Sequence, residues 1–213
     1  MELQGAILEH RLRPGTKLSE DEVGDLFKAS RTVVRQALQA LSHSELVTIE
    51  RNRGAFVAQP SIREAHEVFE TRELIEPRLA AMAAKRIKKA DLKHLNSHIK
   101  DEHEALKQGD KGKALFLSGL FHIAIAEIAD QQVMANIVRS LISRSSLIIA
   151  LYWRRPDTTC ETHSHNALMD ALETHNEKRA SEIMQSHLVD LHSGLNLSEK
   201  TNENLSLADI FDK

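Results

Sequence analysis

The chain has 213 residues, with 28 Lys+Arg against 31 Asp+Glu and a formal net charge of −3. That length suits one mid-sized domain plus a small one, and the charge excludes a generally basic, histone-like binder of nucleic acid. A single cysteine, Cys160, excludes an intrachain disulfide and fits a reducing compartment. Met1 leads directly into a charged amphipathic segment, and no apolar run reaches the roughly 18 residues of a membrane span. A cytoplasmic protein with no membrane partner is expected.

Leu3, Ile7, Leu8 and Leu12 mark an amphipathic first helix, stopped by Arg13-Pro14-Gly15. Ser19 then caps a second helix, with Glu22 three positions on completing a capping box and Val23, Leu26 and Phe27 supplying its buried face. Only Lys28-Ala29 separates it from Ser30, the N-cap of a third helix, so the pair has helix-turn-helix geometry. In that third helix Val34, Ala37, Leu38 and Leu41 form the apolar stripe, and Arg31, Thr32, Arg35 and Gln36 point outward. Two guanidinium forks, a hydroxyl and an amide suit phosphates and base edges in a major groove. A surface helix with two solvated arginines fits this stretch alone equally well; the neighbours decide. Leu46–Ile49 and Ala55–Ala58 read as strands around Arg51-Asn52-Arg53-Gly54, a hairpin with a basic tip in which Gly54 gives backbone freedom. The expected fold class is therefore mainly α: a winged helix-turn-helix with a small β-hairpin over residues 1–60, then an all-α bundle over 61–198 and a flexible tail over 199–213. Residues 1–60 hold 8 Lys+Arg and 8 Asp+Glu, so DNA binding has to come from the cluster of Arg31, Arg35, Arg51 and Arg53. Glu20, Asp21, Glu22 and Asp25 are expected to face elsewhere.

Beyond Pro60 the spacing predicts helices at 63–89, 91–107, 110–129, 131–152, 161–174 and 176–196, with Asp91 and Asp110 as N-caps and Pro77 kinking the first, since it removes one backbone donor. Of 12 histidines, most, including His10, His43, His94, His98 and His103, sit among charged residues and read as solvated. His122, His165 and His187 differ: His122 follows Phe121 on an apolar helix, His165 starts the run HNALMDAL, and His187 precedes Leu188 near the end of the last helix. Three inward imidazoles suit zinc or nickel. From spacing alone, three part-buried histidines bonded to backbone fit as well. Arg144, in LISRSSLII, is flanked by apolar residues and needs an anionic partner if buried, which makes it a candidate effector contact.

The first 60 residues resemble the GntR family of bacterial transcription regulators through Leu12, Pro14-Gly15, Leu18, Ser30-Arg31-Thr32, Val34-Arg35, Ala37-Leu38, Leu41, Leu46-Val47 and Gly54 with Phe56-Val57. The resemblance implies that Arg31, Thr32 and Arg35 contact double-stranded DNA and that Gly54 lies in a wing over the minor groove. Asp21 stands where some relatives carry a DNA-contacting arginine. Residues 63–196 resemble the FCD effector-binding domain, in its six-helix VanR-like rather than seven-helix FadR form, through Arg72 and Glu76, Phe121-His122, His165 with Ala171-Leu172, and His187-Leu188. In that domain type an aspartate and three histidines hold a metal that helps bind a carboxylate. The resemblance makes His122, His165 and His187 the ligands and puts Ser118 at the aspartate position, with Arg72 pointing into the cavity as a bidentate carboxylate clamp. Its other reading is an ion pair with Glu76 one turn on.

These observations imply a homodimeric, ligand-responsive regulator, a repressor in sign, that binds a palindromic operator and senses a small carboxylate. Two other classes stay open from sequence: a metal-dependent, hydrolase-like enzyme, although no HExxH pairing is present, and a dimeric DNA-binding protein indifferent to ligand.

Overall fold

The structure, a computed structural model, describes residues 2–154 and 159–198, and only the backbone of 159–163. The side chain of Cys160, residues 155–158 and the segment 199–213 lie outside what is described, as do the expectations placed on them.

Helix α1 spans Glu2–Leu8, strand β1 Lys17–Leu18, α2 Glu20–Phe27, α3 Arg31–His43, β2 Val47–Glu50 and β3 Gly54–Val57. The strands form an antiparallel sheet in the order β1-β3-β2, with Val47 opposite Val57 and Glu50 opposite Gly54 at the hairpin tip. Ser19 Oγ accepts from Glu22 N at 3.5 Å and Ser30 Oγ from Val33 N at 3.4 Å, so both expected caps are made. Lys28 closes α2 in the left-handed region at φ 50°, which turns the chain sharply enough for α3 to cross α2. Val34, Leu38 and Leu41 pack under the sheet with Leu18, Leu46 and Val57. Several expectations shift here. β1 is too short to carry a sequence pattern, and α1 ends at Leu8, four residues before the apolar period does. Ala37 is exposed, and so are Leu26 (74%) and Phe27 (37%), because α3 covers only the Val23 side of α2.

Among the described residues the rest is a six-helix bundle: α4 Ile62–Arg86, α5 Lys89–Lys107, α6 Lys111–Ile128, α7 Gln132–Tyr152, α8 Thr159–Glu173 and α9 Glu177–Ser193. The expected boundaries agree to within three residues at every end. Asp110 caps α6, whereas Asp91 sits at the third helical position of α5 and accepts from Lys88 N at 2.9 Å. α4 continues through Pro77. Its missing N–H costs one ladder bond, and the packing of α9, α6 and α7 along α4 offsets it. The core runs from Phe69 and Leu79 through Phe121 and Ile125 to Leu168, Leu172 and Leu188. α7 is long and apolar enough to cross a membrane, yet it lies in this bundle against α4 and α6. Its Leu147 is fully buried in the other core, that of the helix-turn-helix.

Candidate functional site

Five helices bring histidine and carboxylate together at the centre of the bundle. His122 (α6), His165 (α8) and His187 (α9) are buried, and their ligating nitrogens all lie within 4.8 Å of one another. His122 Nε2 and His187 Nε2 are 3.2 Å apart, close to the about 3.3 Å expected for two nitrogens about 2.0–2.1 Å from one tetrahedral ion. On the far side of two of the rings stands a carboxylate. His122 Nδ1 donates to Glu76 Oε2 at 2.5 Å and His165 Nδ1 to Glu102 Oε2 at 2.9 Å. Each bond puts the proton on Nδ1 and leaves the Nε2 lone pair facing the centre, the outer arrangement typical of metal-bound histidine. His165 Nε2 is buried and has no hydrogen-bond partner.

Electrostatics favour neutral rings at His122 and His187. Burial lowers the His122 pKa, against the raising effect of Glu76, with the Arg72 charge adding to the lowering. Burial takes His187 well below 6.5, helped by the other two histidines and Arg72. Neutral imidazole is the form that coordinates. Glu76, buried itself, would be pushed up by desolvation, but Arg72 and His122 outweigh that and hold it at about 2. The donor set fits a metal ion: three buried histidines that could hold one, two of them oriented from behind.

The centre opens onto a cavity of about 550 Å3 through His122, Arg72 and Ser118. Ser118 sits one turn before His122 and is 5% exposed. Arg72 lines the cavity, and its guanidinium is engaged inside the protein: Nε donates to Glu76 Oε1 at 2.5 Å and Nη1 to Ser145 Oγ at 3.1 Å, so the ion pair with Glu76 is made. Arg144 departs from expectation. Ser145 and Ser146 face inward, and Arg144, about 100° round the helix from Ser145, turns out of the cavity to pair with Glu45, with Glu64 at 4.0 Å. It joins α7 to the loop before β2 and is not placed to hold a cavity ligand. Among the other histidines, His10 and His103 also depart from solvation: His10 Nε2 lies 2.9 Å from the Ser146 carbonyl, and His103 Nε2 is buried.

Sequence reasoning missed the two carboxylates as site residues. Glu102 lies on the stripe Leu95, Ile99, Glu102, Ala105, all buried; a glutamate on an apolar seam was the available signal. Glu76, seen only as a partner for Arg72, shares the stripe of Phe69, Ala80 and Ala83.

On the α3 face, Arg31, Thr32, Arg35 and Gln36 are exposed as expected. Glu20 and Asp21 do not face elsewhere. Arg31 Nε is 2.9 Å from Asp21 Oδ1, and Arg35 Nε is 2.8 Å from Glu20 Oε2. Because α2 crosses α3 near its N-terminus, the acidic first turn of α2 meets the basic first turn of α3. Ser30 spends its hydroxyl on its cap. At the wing tip Arg51 is exposed, Arg53 pairs with Glu50 and lies 5.6 Å from the Phe56 ring centre, and Gly54 takes φ +100°.

Residues 1–57 match the bacterial regulatory proteins of the gntR family and residues 67–190 the FCD domain. The HTH-type transcriptional regulator LutR of Bacillus subtilis is 24% identical over 86% of this chain and 93% of its own length. The gluconate operon transcriptional repressor of the same species is 26% identical over 87% of this chain and 78% of its own. Among solved structures, a GntR transcriptional regulator from Rhodococcus sp. RHA1 superposes with TM-score 0.77 at 24% identity, covering 90% of this chain and 92% of that one. Escherichia coli McbR/YncC gives 0.76 at 20% identity over 90% and 94%. Regulators of this kind bind DNA through the first part and small effectors through the second, which sets the hydrolase reading aside. The chain belongs to the GntR family of bacterial transcription regulators, in the branch that carries an FCD domain.

Proposed function

We propose that this regulator is a cytoplasmic homodimer that represses from a palindromic operator and releases it when a small carboxylate binds beside a metal held by His122, His165 and His187. Residues 1–60 read the DNA and 61–198 sense and dimerise. The observation that carries the sensing is the buried, unpartnered His165 Nε2, aimed at two further imidazoles whose rings are held neutral. A buried ring nitrogen left without a partner is costly, and a zinc or nickel ion would satisfy it. Bound there, the ion supplies a Lewis-acid site for a carboxylate oxygen. Arg72, already neutralised by Glu76, keeps Nη1 toward the cavity through Ser145 and can turn that donor to the ligand. With Ser118 in place of a carboxylate, the site carries one negative charge fewer and leaves an open position for the effector oxygen. Exposed Leu74 on α4 and Val133 on α7 give the bundle an apolar surface to bury against a second copy.

Elemental analysis of untagged protein purified without chelator tests this. About one divalent transition metal per chain is expected, lost from His187→Ala and held more tightly by Ser118→Asp, which places a carboxylate one turn from His122. Gluconate, taken from the name of the Bacillus repressor, heads a panel of carboxylates. A binder should raise Tm in the metal-loaded parent by mass action. Metal-free parent protein, with no gain in Ser118→Asp, would sink the metal reading.

A further inference from the structure

The wall of the cavity nearest the DNA-binding part is not made by the bundle at all. Gln4, Gly5 and Leu8 of α1 line it, in the same cavity as Ser118 and Ser145. These three fall on one face of α1, at spacings of one and four. Leu3 and Ile7 lie on another face and pack into the core under the sheet, which Leu8 also touches from its edge. One short helix thus has its back in the core of the DNA reader and its front in the effector cavity.

The same helix is fixed to the bundle just beyond its end. Ser146 Oγ donates to the Leu8 carbonyl at 3.2 Å, and His10 Nε2 lies 2.9 Å from the Ser146 carbonyl and 3.1 Å from its hydroxyl. The next residue of α7, Leu147, is buried among Ile7, Leu18 and Leu46. At the start of α6, a Cβ added to Gly112 would come within 1.9 Å of the Glu9 carbonyl oxygen. The covalent linker, by contrast, is tied away from the cavity, with Tyr152 Oη donating to the Pro60 carbonyl at 2.8 Å.

We propose that α1 is the coupling element: a cavity occupant touches Gln4 and Leu8 directly and shifts the DNA reader through α1, not through the Pro60-Ser61 linker. This rests on reading the cavity as the effector site. The reader and the cavity share atoms at α1, so an occupant that needs α1 displaced discriminates between two reader placements, which is the requirement for allosteric coupling. Ser146 and His10 hold α1 in the placement seen with the cavity empty of side chains at Gly5.

Gly5 supplies a test that needs no effector, because a Cβ there meets nothing within 4 Å. Gly5→Leu fills the cavity from the reader's side, and Gly5→Ala controls for helix propensity, both residues being better helix formers than glycine. The probe is the duplex that the parent itself selects from random-sequence DNA. Gly5→Leu should bind it at least tenfold more weakly than Gly5→Ala, with metal content unchanged. Tyr152→Phe, which cuts the linker tie, should change it less than twofold. Should Gly5→Leu not fold, Gln4→Phe fills the same space and is read the same way. Equal affinity for the leucine and alanine variants overturns the coupling, as does a larger effect from Tyr152→Phe. A parent that holds neither metal nor carboxylate but responds to Gly5→Leu overturns the effector reading and leaves the coupling standing.

Discussion

Glu76→Gln should destabilise the metal-free protein by roughly 3–5 kcal/mol, the range found when one member of a buried ion pair is removed. Geometry alone would not give that size. Arg72 and Glu76 are an i,i+4 helical pair, and an exposed pair of that spacing contributes only tenths of a kcal/mol. Burial changes the scale: the two side chains are 3% and 2% exposed. Glutamine keeps the shape and one acceptor but leaves the Arg72 charge uncompensated and removes the acceptor that orients His122. Denaturant unfolding in the presence of chelator measures it, and Tm should fall by on the order of 10 °C. The double variant Arg72→Met with Glu76→Gln should lose much less than the sum of the singles, because no buried charge is stranded. The pH dependence follows from the lowered carboxyl. Glu76 has its ordinary value near 4.5 when unfolded and about 2 when folded. The unfolded state therefore takes up the proton first, and the contribution, present in full above pH 4.5, is lost as pH falls toward 2. Glu76→Gln should flatten the stability profile across that window. A loss under about 1 kcal/mol would show that the pair is solvated and sink the argument.

The residues that sequence made legible are those whose pattern is local. Ser19 and Ser30 announce their helices because an N-cap is satisfied within three residues. His122 is legible because it interrupts an apolar run, and His165 and His187 because each stands directly at the start of a short apolar stretch. What stayed hidden depends on packing between elements. Glu102 reads as one charge in KDEHEALK until α8 sets His165 against it. Arg144 was placed by its apolar neighbours, yet one residue of helix rotation separates it from Ser145, and that rotation sends it to Glu45. The pairing of Glu20 and Asp21 with Arg35 and Arg31 depends on the angle at which α2 crosses α3, set by the left-handed Lys28. α1 offered an apolar period through Leu12, but nothing in it showed that Gln4, Gly5 and Leu8 would face a cavity built by other helices.

Arg31→Ala and Arg35→Ala should each weaken binding to the selected duplex roughly 5- to 150-fold, the loss expected for a specific base contact, while the fold is kept. Both side chains are largely exposed, so neither truncation opens a cavity or strands a buried group. Their ion pairs to Asp21 and Glu20 lie in water and constrain rotamers more than they add stability. On DNA the same carboxylates matter differently. Each guanidinium has to share its donors between a carboxylate and the nucleic acid, and each carboxylate repels nearby phosphate. Asp21→Asn should therefore shift affinity in the opposite direction from Arg31→Ala, tightening binding to random-sequence duplex severalfold and narrowing the ratio of specific to nonspecific affinity. It should also steepen the salt dependence, since Arg31 is freed for a phosphate. Fluorescence anisotropy on operator and random duplexes, titrated at two or more salt concentrations, reads all three variants together. Operator affinities equal to the parent's for both alanine variants would remove α3 from the groove. An Asp21→Asn protein that binds random DNA no better than the parent would show that the α2 carboxylates do not restrain the reading arginines.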